Sequence, residues 1–69
     1  MTPVLRPEQV IKALERNGFQ FVKQRGSHRK YKKDGRTAII PMHYELAKGT
    51  LLSILEQAGL TLEDITKYI

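Results

Sequence analysis

Cysteine is absent from the 69 residues. That excludes disulfides, thiolate nucleophiles and every zinc site with a Cys ligand, and it fits a reducing compartment. Long apolar runs are missing as well; the aliphatic stretches are far too short to cross a bilayer. The opening residues, Met1-Thr2-Pro3-Val4-Leu5-Arg6-Pro7, lack the apolar centre of a signal peptide. No repeat, linker or low-complexity segment interrupts the chain. Size adds its own exclusion, because a chain of this length buries only roughly 60% of the surface it exposes when unfolded. A deep enclosed cavity is therefore not expected. A shallow site open to a long charged substrate suits such a protein better than a buried metabolite pocket. The expectation is a soluble, cytoplasmic protein folded as one domain over residues 1–69.

Acidic residues are scarce where basic ones are dense. The chain carries 12 Lys and Arg against 7 Asp and Glu, a net charge of +5. Seven of those cations fall between Lys23 and Arg36, where Asp34 is the one carboxylate. Concentrated charge of one sign points to a polyanion rather than to a uniformly solvated surface. At the centre of the run lies His28, the side-chain type best suited to moving protons near neutral pH.

Local chemistry divides the rest of the chain. Pro7 suits the first turn of a helix, and Glu8 sits well near its positive end. Val10, Ile11 and Leu14 recur at helical spacing until Asn17-Gly18 stops the helix, which spans about residues 7–17. From Phe19 the period changes to two, placing Phe19 and Phe21 on one face of a strand that ends at Arg25-Gly26-Ser27. A second strand, His28 to Lys33, sets His28, Lys30 and Lys32 on one face. Arg29, Tyr31 and Lys33 take the other, with Tyr31 as the apolar anchor. Asp34-Gly35 is a hairpin signal, and Thr37 to Ile40 forms a third strand closed by Pro41. Met42 to Lys48 reads as a loop. Gly49-Thr50 opens a helix whose apolar face is Leu51, Leu52, Ile54, Leu55 and Ala58, ended by Gly59. Thr61 to Asp64 has the form of a capping box for a short last helix using Ile65 and Tyr68. Phe19, Phe21, Leu51, Ile54 and Leu55 are assigned to the core.

Three meandering strands with helices over one face leave the other face open. The charge of Lys30 and Lys32 assigns the His28 face to the open side. The fold class is α+β.

Six ordered pieces of the chain carry a resemblance: Asn17-Gly18-Phe19, Gly26-Ser27-His28, Asp34-Gly35-Arg36, Ile40-Pro41, Lys48-Gly49-Thr50-Leu51 with Ile54-Leu55, and Gln57-Ala58-Gly59-Leu60. Together they resemble the HicA-type, or YcfA-like, toxins of bacteria and archaea. That resemblance implies a fold like a double-stranded-RNA-binding domain, in the order α-β-β-β-α with a three-stranded antiparallel sheet. It implies an mRNA interferase, an endoribonuclease that cuts RNA without a metal and arrests translation. It also implies a HicB-type antitoxin that covers the active site. The family's catalytic histidine falls on His28. The chain departs from the family at Lys30, where an apolar residue is common, and nothing carries over to Tyr44 or Glu45 in the variable loop.

The residue types fit that chemistry. RNA supplies its own nucleophile, the 2′-hydroxyl, so a ribonuclease needs a base, cations for the charged phosphate and a proton for the leaving oxygen. His28 is the candidate base. Arg25, Ser27, Arg29, Lys30 and Lys32 are the candidate RNA-binding residues, and no cofactor is expected. His43 is a possible acid–base partner, but His28 and His43 have no third ligand at a spacing that would hold a metal. The bland readings stand beside these: a histidine at a strand start can be merely solvated, and Lys on edge strands prevents edge pairing. Two alternatives therefore remain open. One is a non-catalytic RNA-binding module of the same fold, for which His28 would be superfluous. The other is an interaction protein whose patch is occupied by an acidic partner.

Overall fold

The computed structural model describes residues 3–69. Helix α1 runs Pro7–Arg16, strands β1, β2 and β3 run Gln20–Arg25, His28–Lys33 and Arg36–Pro41, and helices α2 and α3 run Lys48–Ala58 and Leu62–Thr66. The sheet is antiparallel in the order β1-β2-β3. This is the α-β-β-β-α arrangement of the double-stranded-RNA-binding-domain type, with α3 appended.

Each helix end is set by local chemistry. At the start of α1 the Arg6 backbone N–H donates to Gln9 Oε1 at 2.8 Å. At its end Gly18 adopts φ +93°. The Gly18 N–H then bonds Glu15 O and the Phe19 N–H bonds Leu14 O, both at 3.0 Å. Helix α2 closes the same way: Gly59 has φ +69°, and Leu60 N–H reaches Leu55 O at 3.0 Å. A residue with a Cβ strains in that left-handed conformation, which explains glycine at both ends. At α3 the capping box closes in both directions. Asp64 N–H donates to Thr61 Oγ1 at 3.1 Å, and Thr61 N–H donates to Asp64 Oδ2 at 2.9 Å.

The core lies between the helices and one face of the sheet. Tyr31, Ala38 and Ile40 face it from the sheet, Val10, Ala13 and Leu14 from α1, and Leu51, Ile54 and Ala58 from α2, all buried. Two expectations are corrected: Phe21 as a core residue and Leu52 as part of the buried apolar face of its helix. Phe21 is 53% exposed and Leu52 45% exposed. The helices pack on β3 rather than on β1, so Phe21 stays exposed on the outer strand, in a T-shaped pair with the Tyr31 ring at 5.7 Å between centroids. Leu52 lies outside the buried stripe of α2, which is Leu51, Ile54, Leu55 and Ala58. The core also gains two residues from outside the regular elements: Leu5 and Leu46 pair across an isolated bridge and are both buried.

The two sheet edges differ. On β3 the Ile39 N–H is taken by Gln57 Oε1 of α2 at 2.9 Å, and Pro41 has no N–H to offer. That edge is closed. Strand β1 has no such cover, and all six of its residues are exposed.

Candidate nucleic-acid interface

Pairing across β2 decides which side chains share its open face. On β3, Lys32, Lys30 and His28 stand opposite Thr37, Ile39 and Pro41, while Tyr31 and Arg29 stand opposite the buried Ala38 and Ile40. His28, Lys30 and Lys32 thus lie away from the helices. His28 and Lys32 are exposed and Lys30 is half-buried.

Strand β1 reaches that face through a bulge. Phe21 pairs with Tyr31, but the next pair is Lys23 with Lys30, followed by Gln24 with Arg29 and Arg25 with His28. Val22 is the extra residue, and it shifts the alternation by one. Lys23 and Arg25 thereby share the face of Lys30 and His28. In unbroken pairing Val22 and Gln24 would have stood there instead. The chain then turns through Gly26-Ser27, with Gly26 at φ +58°. The Ser27 carbonyl accepts the Met42 N–H at 2.6 Å, extending the β3 ladder past Pro41.

The result is a shallow depression of about 340 Å³ bordered by Lys23, Arg25, His28, Arg29, Lys30 and Ile39. Its open-face positions carry no carboxylate: Gln20, Thr37, Ile39 and Pro41 complete the surface. Lys23, Arg25, Lys30 and Lys32 donate no side-chain hydrogen bond to the other described residues. Four cations and an imidazole share a face that offers them no counter-charge.

The remaining cations of the basic run are Arg29, which borders the depression but holds a partner within the sheet, and Lys33 and Arg36, which are engaged elsewhere. Arg29, a candidate for RNA contact, donates through Nε to Gln24 Oε1 at 2.9 Å on the helix side of the sheet. Lys33 Nζ donates to Asn17 O at 2.7 Å, at the end of α1. The Arg36 guanidinium lies against Gly59, at the end of α2. Cations at helix C-termini meet the negative end of the dipole. Ser27 is exposed in the turn, and its hydroxyl has no partner among the described residues. His43 lies two residues beyond the partner of His28 and does not border the depression. Among the described residues no three His, Asp or Glu side chains gather as metal ligands, and no helix is long and apolar enough to cross a membrane.

Lys23 and Ile39 were not among the site candidates drawn from the sequence. Ile39 carried a weak signal, since strict alternation on β3 separates it from Ala38 and Ile40. Lys23 carried only its charge within the basic run, because its placement on this face depends on the bulge.

A comparison with curated proteins gives no significant match. Residues 7–60, from the first residue of α1 to the residue after Gly59, match the profile of a family described as the HicA toxin of bacterial toxin–antitoxin systems. With that match spanning the sheet, both main helices and the histidine-bearing face, the chain belongs to the HicA toxin family and is the toxin component of a toxin–antitoxin pair.

Proposed function

We propose that this toxin is a metal-independent endoribonuclease, an mRNA interferase that cuts RNA in the cytoplasm and inhibits translation. The observation that carries this reading is the placement of His28 beside Arg25, Lys23 and Lys30 on an open face without carboxylates. His28 takes the proton from a ribose 2′-hydroxyl, and the freed oxygen attacks the adjacent phosphorus. The bond from phosphorus to the 5′-oxygen breaks, leaving a 2′,3′-cyclic phosphate. The departing oxygen takes a proton from the solvent that an open site admits. Arg25, in the row of His28, offsets the charge that grows on that phosphate, while Lys23, Lys30 and Lys32 hold the rest of the RNA backbone on the same face. Ser27, in the exposed turn next to His28, is close enough in sequence to contribute its hydroxyl or backbone to the same phosphate. Arg29, at the border of the depression, keeps its terminal guanidinium amino groups for RNA while its Nε–H stays on Gln24.

The partner in this reading is a HicB-type antitoxin that covers the same face, and charge complementarity favours an acidic surface on it. The test uses the purified chain, a long single-stranded RNA and EDTA, with binding and cleavage scored separately. Wild type should cut and leave 2′,3′-cyclic ends. His28→Ala should bind equally and cut about 10²–10⁴ times more slowly, the usual worth of a positioned acid–base group. Equal binding with no cleavage by either protein would leave a non-catalytic RNA-binding module.

A further inference from the structure

The function above asks for cations near His28 but does not say where the RNA backbone runs. We propose that Lys23 and Lys30 form a phosphate subsite adjoining the phosphate that faces Arg25 and His28, and that the Val22 bulge exists to build it. The inference rests on the ribonuclease reading only in requiring RNA on this face.

Three observations carry it. The first is a directly opposed pair of like charges. Lys23 faces Lys30 across β1 and β2, and like charges at opposed positions destabilise a sheet. Neither neighbour on that row offsets them, since the third member is Ile39. An arrangement that costs stability in the free protein gains it back when an anion lies between the two ammonium groups.

The second observation is the bulge. It spends an unpaired residue at Val22 to bring Lys23 and Arg25 onto the His28 face, where regular pairing would have presented Val22 and Gln24. Bulges of this kind re-aim side chains beside functional sites. Edge protection alone would explain a lysine on β1, but it would not require that lysine to face Lys30.

The third is spacing. The Arg25–His28 row and the Lys23–Lys30 row are successive same-face rows of the sheet. They lie about 6.6 Å apart, two residues of strand rise, which is close to the separation of neighbouring phosphates along one RNA strand. Lys32 continues the line on β2, opposite Gln20. An RNA strand laid along β2 therefore meets Arg25 and His28 at one phosphate, Lys23 and Lys30 at the next, and Lys32 beyond it. Lys23 is a substrate-binding residue in this arrangement, not a catalytic one.

The test measures affinity against salt for the full chain. The probe is a short labelled 2′-O-methyl RNA of mixed sequence, which cannot supply the nucleophile and so stays intact. Each phosphate contact to a single strand contributes about 0.7 to the steepness of log affinity against log salt. Lys23→Gln should lower that steepness by about 0.7 and melt no lower than wild type. Lys12→Gln, the same charge change on the exposed side of α1, should leave the steepness unchanged. A Lys23→Gln protein with the wild-type slope would overturn the subsite while leaving RNA binding intact. Equal losses for Lys23→Gln and Lys12→Gln would overturn it too, as nonspecific attraction. A wild-type protein that fails to bind the probe even at low salt would remove the ribonuclease reading, and the subsite with it.

Discussion

The two faces of one sheet treat their cations in opposite ways. On the helix side Arg29, Lys33 and Arg36 are each held: by Gln24, by the Asn17 carbonyl and against Gly59. On the open side Lys23, Arg25, Lys30 and Lys32 have no such partners, and the first three border one depression with His28. A count of charges along residues 23–36 merges these two groups. Strand pairing separates them, and the separation teaches that a basic run can be part scaffold and part interface. Lys33 and Arg36 tie the β2–β3 hairpin to the C-termini of both main helices, and Arg29 ties β2 to β1. The unpaired ones leave a field for a polyanion.

The comparison can be tested from its structural side first. Tyr31 anchors the helix side of β2 and is 2% exposed, so Tyr31→Ala should cost roughly 3–5 kcal/mol, read from denaturant unfolding. A cost below about 1 kcal/mol would mean that the core does not depend on that face. Gly59→Ala should be next. Its φ of +69° strains any residue with a Cβ, and the added methyl would collide with the Arg36 guanidinium. The left-handed backbone alone costs about 1–2 kcal/mol, and the displaced guanidinium adds to that.

A sharper contrast comes from one charge removed on each face. Arg36→Gln should lower stability by about 0.3–1 kcal/mol, the usual worth of a cation at a helix C-terminus, and leave RNA affinity unchanged. Lys30→Gln should weaken RNA binding and raise stability by roughly 0.2–1 kcal/mol, because its opposition to Lys23 disappears. If both variants behaved alike in both assays, the division between faces would fail. The smallest effect lies at α3. The Thr61 backbone N–H and hydroxyl hold the Asp64 carboxyl below the usual aspartate value of 3.8. A carboxyl lowered by folding stabilises above its unfolded value, and that contribution disappears as pH falls through its folded one. Asp64→Asn should therefore flatten the acid limb of stability below about pH 4 while sparing RNA binding.

Much of the fold was legible because its boundaries are written locally. Pro7, Asn17-Gly18, Asp34-Gly35, Gly59 and the Thr61–Asp64 pair each act through backbone chemistry within a few residues. One local detail differs from the usual Asp-Gly turn: Asp34 takes the left-handed conformation that a type I′ turn requires, at φ +53°, but Gly35 does not follow it to positive φ. What the sequence concealed is non-local. Phe21 was assigned to the core because period-two spacing cannot tell an outer strand from an inner one. The Leu5–Leu46 bridge joins segments that lie far apart in the chain.

The same limit governs the candidate site. Alternation in His28–Lys33 suffices to put His28, Lys30 and Lys32 on one face and Arg29 on the other. It cannot reveal Lys23, because a bulge is decided by which residues the partner strand and the helices will accept. Arg25 was a candidate by charge alone, and the bulge is what sets it opposite His28.

The most direct test of the account asks which face RNA touches. Backbone amide shifts of the His28→Ala protein would be followed by NMR while single-stranded RNA is added. The account predicts changes concentrated at Lys23, Arg25, Lys30, Lys32 and Ile39, with the amides of α1 and α3 left still. Changes concentrated on the helices, with the sheet unmoved, would contradict it.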